Sequence, residues 1–128
     1  MAINKRAFNT VIPGHHYELP IYKIEEGKGI VETGEVQHIK FVRGSKQAGD
    51  TKTPQIVQHH GPLEGTLHEH LISAMIEDLK LKNSEVPSRE GALVITHLEI
   101  ARNFMEERQR SREAAGVVGT YQPVEGNS

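Results

Sequence analysis

A helical pattern runs unbroken from Ser88 to Gly116, and every other segment of this chain has to be accommodated around it. Ser88 is placed to cap the start, with Pro87 just outside and Glu90 in the first turn, where a negative charge suits the helix dipole. Leu93, His97, Ala101, Phe104, Met105 and Arg108 recur at spacings of three and four, which predicts one packed face with His97 as a satisfied core histidine. Gly116 supplies a residue that enters the left-handed region without a steric penalty and so ends the helix. The predicted helix has about 27 residues and is roughly 40 Å long.

A second helix is predicted before it. Thr66-Leu67-His68-Glu69 has the form of a capping box. Leu67, Leu71, Met75 and Leu79, with Ile72 and Ile76 beside them, form an apolar stripe, and Lys80 and Lys82 close it with the sign the dipole favours. Asn83 to Pro87 is a short connection, which forces the two helices antiparallel. The first helix is only about 24 Å long, so about ten residues of the second project past it. That overhang includes the polar run from Glu106 to Glu113 and is expected to be covered by another subunit.

The N-terminal half is β-like. Residues 1–14 are expected as a loose arm ending at Pro13-Gly14. His15 to Ile24 is strand-like but holds Pro20, which places it at a sheet edge. Glu25 to Gly29 is a turn, Ile30 to Thr33 a short strand, and Gly34-Glu35 a turn into Val36 to Arg43. That last strand alternates, offering Ile39 and Phe41 to a core. Gly44 to Thr53 is expected as a mobile loop, with one more short strand around Ile56 and Val57 and a break at Gly61-Pro62. Residues after Thr120 are expected as a disordered tail. The fold class is therefore α+β, a small N-terminal antiparallel sheet followed by a long antiparallel helical hairpin. It is expected as a single domain over 1–128, with a β-rich part at 15–60, the hairpin at 65–120, and flexible ends at 1–14 and 121–128.

Composition removes several function classes. A net charge of −2 argues against a generally basic nucleic-acid binder, so an anion site has to be a local cluster. Without cysteine there is no disulfide framework and no thiolate chemistry. No apolar run approaches the roughly 18 residues of a membrane span, and Met1 to Asn9 lacks the apolar core of a signal peptide. Eight histidines invite a metal reading, through His15-His16, His59-His60 and His68-Glu69-His70. His68 and His70, two apart on a helix, point to nearly opposite sides, and the His-Glu-x-x-His spacing is absent. No metal is expected.

The charges of the overhang separate into two kinds. Arg110 has Glu106, Glu107 and Glu113 at helical offsets and can be neutralised on its own helix. At the same offsets Arg108 meets Phe104, Met105, Ser111 and Arg112, while Arg112 meets Arg108, Gln109 and Ala115. The local sequence offers these two guanidiniums only each other. Guanidinium forks suit phosphate oxygens and can stack on a base. Gly116-Val117-Val118-Gly119-Thr120 follows directly, with two glycines that let backbone approach a ligand and a threonine hydroxyl. Together these residues form a candidate phosphate cradle. One helix end with two arginines is too small a footprint for DNA.

An ordered set of residues carries a resemblance. It runs from Gly65-Thr66-Leu67-His68-Glu69-His70-Leu71-Ile72 through Ile76-Glu77-Asp78-Leu79, Asn83 and Pro87-Ser88-Arg89-Glu90. It continues with Ala92 to Glu99, Arg108 to Arg112 and Gly116 to Thr120. This set resembles the helical-hairpin domain of phage anti-defence sponges, the group that joins Thoeris anti-defence and anti-CBASS proteins. The resemblance implies no catalytic group and no cofactor. It implies a protein in the cytoplasm of an infected bacterium that sequesters cyclic nucleotide signals, namely cyclic ADP-ribose isomers or CBASS cyclic oligonucleotides, without cleaving them. It also implies dimers or hexamers and neither DNA nor membrane as partner. On this resemblance Arg108, Arg112, Val117, Gly119 and Thr120 contact the ligand, joined by Arg89 and Gly91 at the start of the long helix. Gly91 stands where asparagine is usual in the family. Phe41 and Arg43 are offered to complete the pocket from the β side. The alternative is a non-enzymatic structural or assembly protein whose arginine end docks on an acidic partner.

Overall fold

In the computed structural model, residues 8–44 and 61–116 are described. The chain divides into two compact units, Met1–Gly65 and Thr66–Ser128, each taken by itself below. No described helix is long and apolar enough to cross a membrane.

The first unit is a three-stranded antiparallel meander, β1 (Asn9–Ile12), β2 (His16–Glu25) and β3 (Gly29–Lys40), in the order β1-β2-β3. The expected turn joins β2 to β3. Lys28 N–H donates to the Glu25 carbonyl at 3.0 Å, with Gly27 and Gly29 at φ of 81° and 79°. Two expectations change here. Asn9–Ile12 lies in the segment read as a loose arm but is a strand, paired with His16–Glu18. β2 is the central strand, yet β1 pairs it only as far as Glu18, so Pro20 still has an open side for its missing N–H.

Across from Pro20, the two strands expected on either side of Gly34-Glu35 are one. Pro20 pairs with Val36 and Tyr22 with Glu32, so the register slips between them. Gly34, at φ of 86°, absorbs the slip as a bulge. The Thr33 hydroxyl donates to the Ile21 carbonyl at 3.0 Å and accepts from Glu35 N–H at 3.1 Å, which satisfies backbone groups that the ladder leaves unpaired there.

The second unit is the helical hairpin, α1 (His68–Glu85) and α2 (Arg89–Ala115). The long helix has its predicted ends. Ser88 Oγ accepts from Gly91 N–H at 2.9 Å, and Gly116 closes the far end in the left-handed conformation. The capping box of α1 does not form. Its N-cap is Leu67, with no side-chain cap bond, one residue later than Thr66.

Ile72, Ile76 and Ile95 are buried, and Leu79, Leu98, Ala101 and Met105 pack against them. On α2 the covered positions Ile95, Leu98, Arg102 and Met105 alternate steps of three and four, the 3.5-residue seam of paired helices. The predicted face was rotated from this one. Leu93, His97, Phe104 and Arg108 are exposed, Phe104 at 67%, and His97 is not a core histidine. Both stripes have helical spacing, and α1 packs on the one that carries Ile95.

Candidate functional site

The expected site residues sort by where the elements put them. At the end of α2, Arg108 is exposed and has no ion pair among the described residues. Arg112 is half-buried and is not without a partner, so it is not a free residue at the helix end. The nearby carboxylate pairs with the cation one turn back rather than one turn ahead. Glu106 Oε1 faces Arg102 Nε at 4.0 Å rather than Arg110. Val117, Gly119 and Thr120 lie outside the described residues, as do the loop up to Thr53 and the strand expected around Ile56 and Val57.

The projection of α2 can be measured from its cross-links to α1. Arg102 Nη1 reaches Ser73 Oγ at 3.5 Å, and Lys80 Nζ reaches Glu99 Oε2 at 3.2 Å. His68, the first residue of α1, therefore faces about residue 107, and roughly 12 Å of α2 runs past it. That extension carries Arg108, Arg110 and Arg112, three cations within five residues. It presents a local positive end on a chain of negative net charge, chemistry suited to a phosphate or carboxylate.

Arg89 and Gly91 are at the other end. From Arg89 to Arg108 the helix rises roughly 28 Å, so one chain does not bring these two clusters into one pocket. Gly91 is tied into the hairpin connection. Asn83 Oδ1 accepts from Ser88 N–H at 3.0 Å, Ser88 Oγ accepts from Gly91 N–H, and a Cβ on Gly91 would collide with Asn83 Oδ1. The close approach of Asn83 across the hairpin connection thus leaves room for glycine alone, a contact that residue types by themselves do not announce.

On the sheet, Phe41 and Arg43 continue from β3 and are both half-buried. Phe41 stacks edge-on against Tyr17, with ring centroids 6.0 Å apart, and Arg43 exchanges two backbone hydrogen bonds of 2.9 Å with Leu63. His15 is the buried polar residue here, 6% exposed. Its Nδ1 lies 2.7 Å from the Phe41 carbonyl, which can only accept, so Nδ1 carries the proton. Phe41 N–H in turn donates to the His15 carbonyl at 2.7 Å. Sequence reasoning treated His15 only as half of a metal pair. Gly65 lies so close to Lys40 and Phe41 that a Cβ there would strike their backbone.

His16 and His38 are the other pairing that the sequence did not announce, since 22 residues separate them. Partial burial, then the positive charge of Lys40, hold the His16 pKa below its ordinary value. Among the described residues no group of three or more His, Asp or Glu side chains is gathered as for a metal ion.

No protein-family model matches the chain. It is 40% identical over 67 residues to a protein named Thoeris anti-defense 1 from Bacillus phage SBSphiJ7. The aligned part is 52% of this chain and 46% of that protein, so the chain spans about half the length of the curated relative it matches. The expected resemblance has support in that similarity: along about half its length, this chain is similar to a phage Thoeris anti-defence protein.

Proposed function

We propose that this protein binds a cyclic nucleotide immune signal and withholds it from its effector without cleaving it. The ligand class is the cyclic ADP-ribose isomers of Thoeris, with CBASS cyclic oligonucleotides as a second class of the same chemistry. The observation that carries the proposal is the 40% identity to a Thoeris anti-defence protein. In keeping with it, the described residues of α2 end in a cationic extension suited to phosphates. The site of action is the cytoplasm of an infected bacterium, and neither DNA nor a membrane is a partner.

In this reading Arg108 and Arg112 hold phosphates or stack on a base, and Val117, Gly119 and Thr120 close over the ligand. Arg89 and Gly91 join only if a second copy lies antiparallel along α2, which sets Arg89 of one chain beside Arg108 of the other. The exposed stripe of Leu93, Ile100 and Phe104 favours such self-association, because it leaves apolar surface in water.

The test is a panel of cyclic signals added to the purified chain. A bound ligand raises Tm by mass action. Arg108→Ala should weaken binding at least tenfold with the circular dichroism spectrum and assembly size unchanged. Heating the complex should release intact ligand. A cleaved product would overturn the non-enzymatic reading. If no cyclic nucleotide stabilises the chain, the structural or assembly role takes its place.

A further inference from the structure

The antiparallel register sets Glu18 opposite His38 and His16 opposite Lys40. His16 and His38 are therefore diagonal neighbours on one face of the sheet, a separation that imidazole side chains can span. His16 Nε2 and His38 Nδ1 lie 2.8 Å apart, with ring centroids at 5.1 Å and planes inclined by 44°. We propose that this pair is a two-imidazole chelate for a first-row transition-metal ion, copper(II) or nickel(II), with water completing the coordination.

The distance sets how far the rings have to move to chelate. With metal–imidazole bonds of about 2.05 Å, ligation at a right angle sets the two nitrogens about 2.9 Å apart, while a tetrahedral angle needs about 3.3 Å. The hydrogen-bonded spacing lies within reach of adjacent positions of a tetragonal site, the preference of copper(II) and nickel(II), once each ring turns from its partner toward the ion. Without a metal the contact is a single hydrogen bond, with one nitrogen protonated and the other accepting. On metal binding the donor ring carries its proton on its other nitrogen instead, so that both facing nitrogens ligate as neutral imidazoles.

The surroundings tune the pair in both directions. Glu18 Oε2 is 4.0 Å from His38 Nδ1, and its other oxygen accepts from Asn9 Nδ2 at 3.0 Å, so a negative charge is held beside the pair. Lys40 opposes it, repelling a bound cation while also keeping His16 neutral and able to ligate. His38 is about half exposed, which leaves a path for the ion.

The experiment adds copper(II) sulfate or nickel(II) chloride to the full chain. Sub-stoichiometric nickel should broaden the ring resonances of His16 and His38 before those of the other six histidines. Bound copper should show nitrogen superhyperfine splitting from two imidazoles. His16→Ala and His38→Ala should each weaken the tightest copper site at least tenfold, with the sheet verified by circular dichroism. Lys40→Ala, which removes the opposing charge and leaves both ligands, should tighten it. The proposal is overturned if other histidines broaden first, or if copper affinity is the same in both histidine variants. Because no cyclic nucleotide enters this experiment, its outcome is independent of the sequestration reading.

Discussion

Gly91 shows how one missing side chain is set by a residue from another helix. Its place in the first turn of α2 costs up to about 1 kcal/mol of helix propensity relative to alanine. It is nonetheless a good fit, because Asn83 Oδ1 fills the space a Cβ would take while accepting from Ser88 N–H. Gly91→Asn should therefore push the Asn83 amide off Ser88 and lower stability by about 1 kcal/mol, the net worth of that hydrogen bond. In an Asn83→Ala background the same substitution should be neutral or stabilising, since the collision is gone and helix propensity improves. Urea unfolding of the four chains forms the double-mutant cycle, and equal effects in both backgrounds would refute the coupling. Asn83 and Gly91 were each visible in the sequence, but nothing there linked them.

Among the elements, β3 depends most on a single backbone conformation. Gly34 sits at φ of 86° in the bulge across from the Pro20–Tyr22 slip, where a side chain on Cβ is strained. Gly34→Val should destabilise the sheet by about 1–2 kcal/mol, the cost of forcing an L-residue into the left-handed region. Amide exchange around Tyr22 and Glu32 should then accelerate ahead of exchange in the hairpin unit. Uniform exchange across β2 and β3 would mean the bulge had simply moved. Pro20 was read from the sequence as a strand interruption and Gly34-Glu35 as a turn between two strands, but Gly34 is a bulge within the single strand β3. That they interrupt the same ladder, and so compensate each other, required the strand pairing.

For the whole molecule, the surface that bears on assembly is the second stripe of α2. Leu93, Ile100 and Phe104 are exposed at 40%, 47% and 67%, while the opposite side of the helix packs on α1. If a second copy covers this stripe, Phe104→Glu should reduce the assembly to monomers in sedimentation or light scattering, with the helicity of the chain retained. An unchanged mass would place any self-association elsewhere. The same variant should weaken ligand binding if Arg89 and Arg108 meet across two copies, and spare it if one chain holds the ligand alone.

The sequence by itself determined the length of α2, the turn between β2 and β3, the α+β order and the cationic end of the long helix. Those features arise within a few residues, from Ser88 and Gly116 as caps, from Gly27 and Gly29 as turn residues, and from helical offsets around Arg108. Tertiary structure alone decided which stripe of α2 is buried, that residues 9–12 join the sheet, and that His15, His16 and His38 find their partners. The reason is physical. Caps and turns are preferences of the local backbone, whereas two stripes of equal spacing, or two histidines on different strands, are told apart only by what the rest of the chain sets against them.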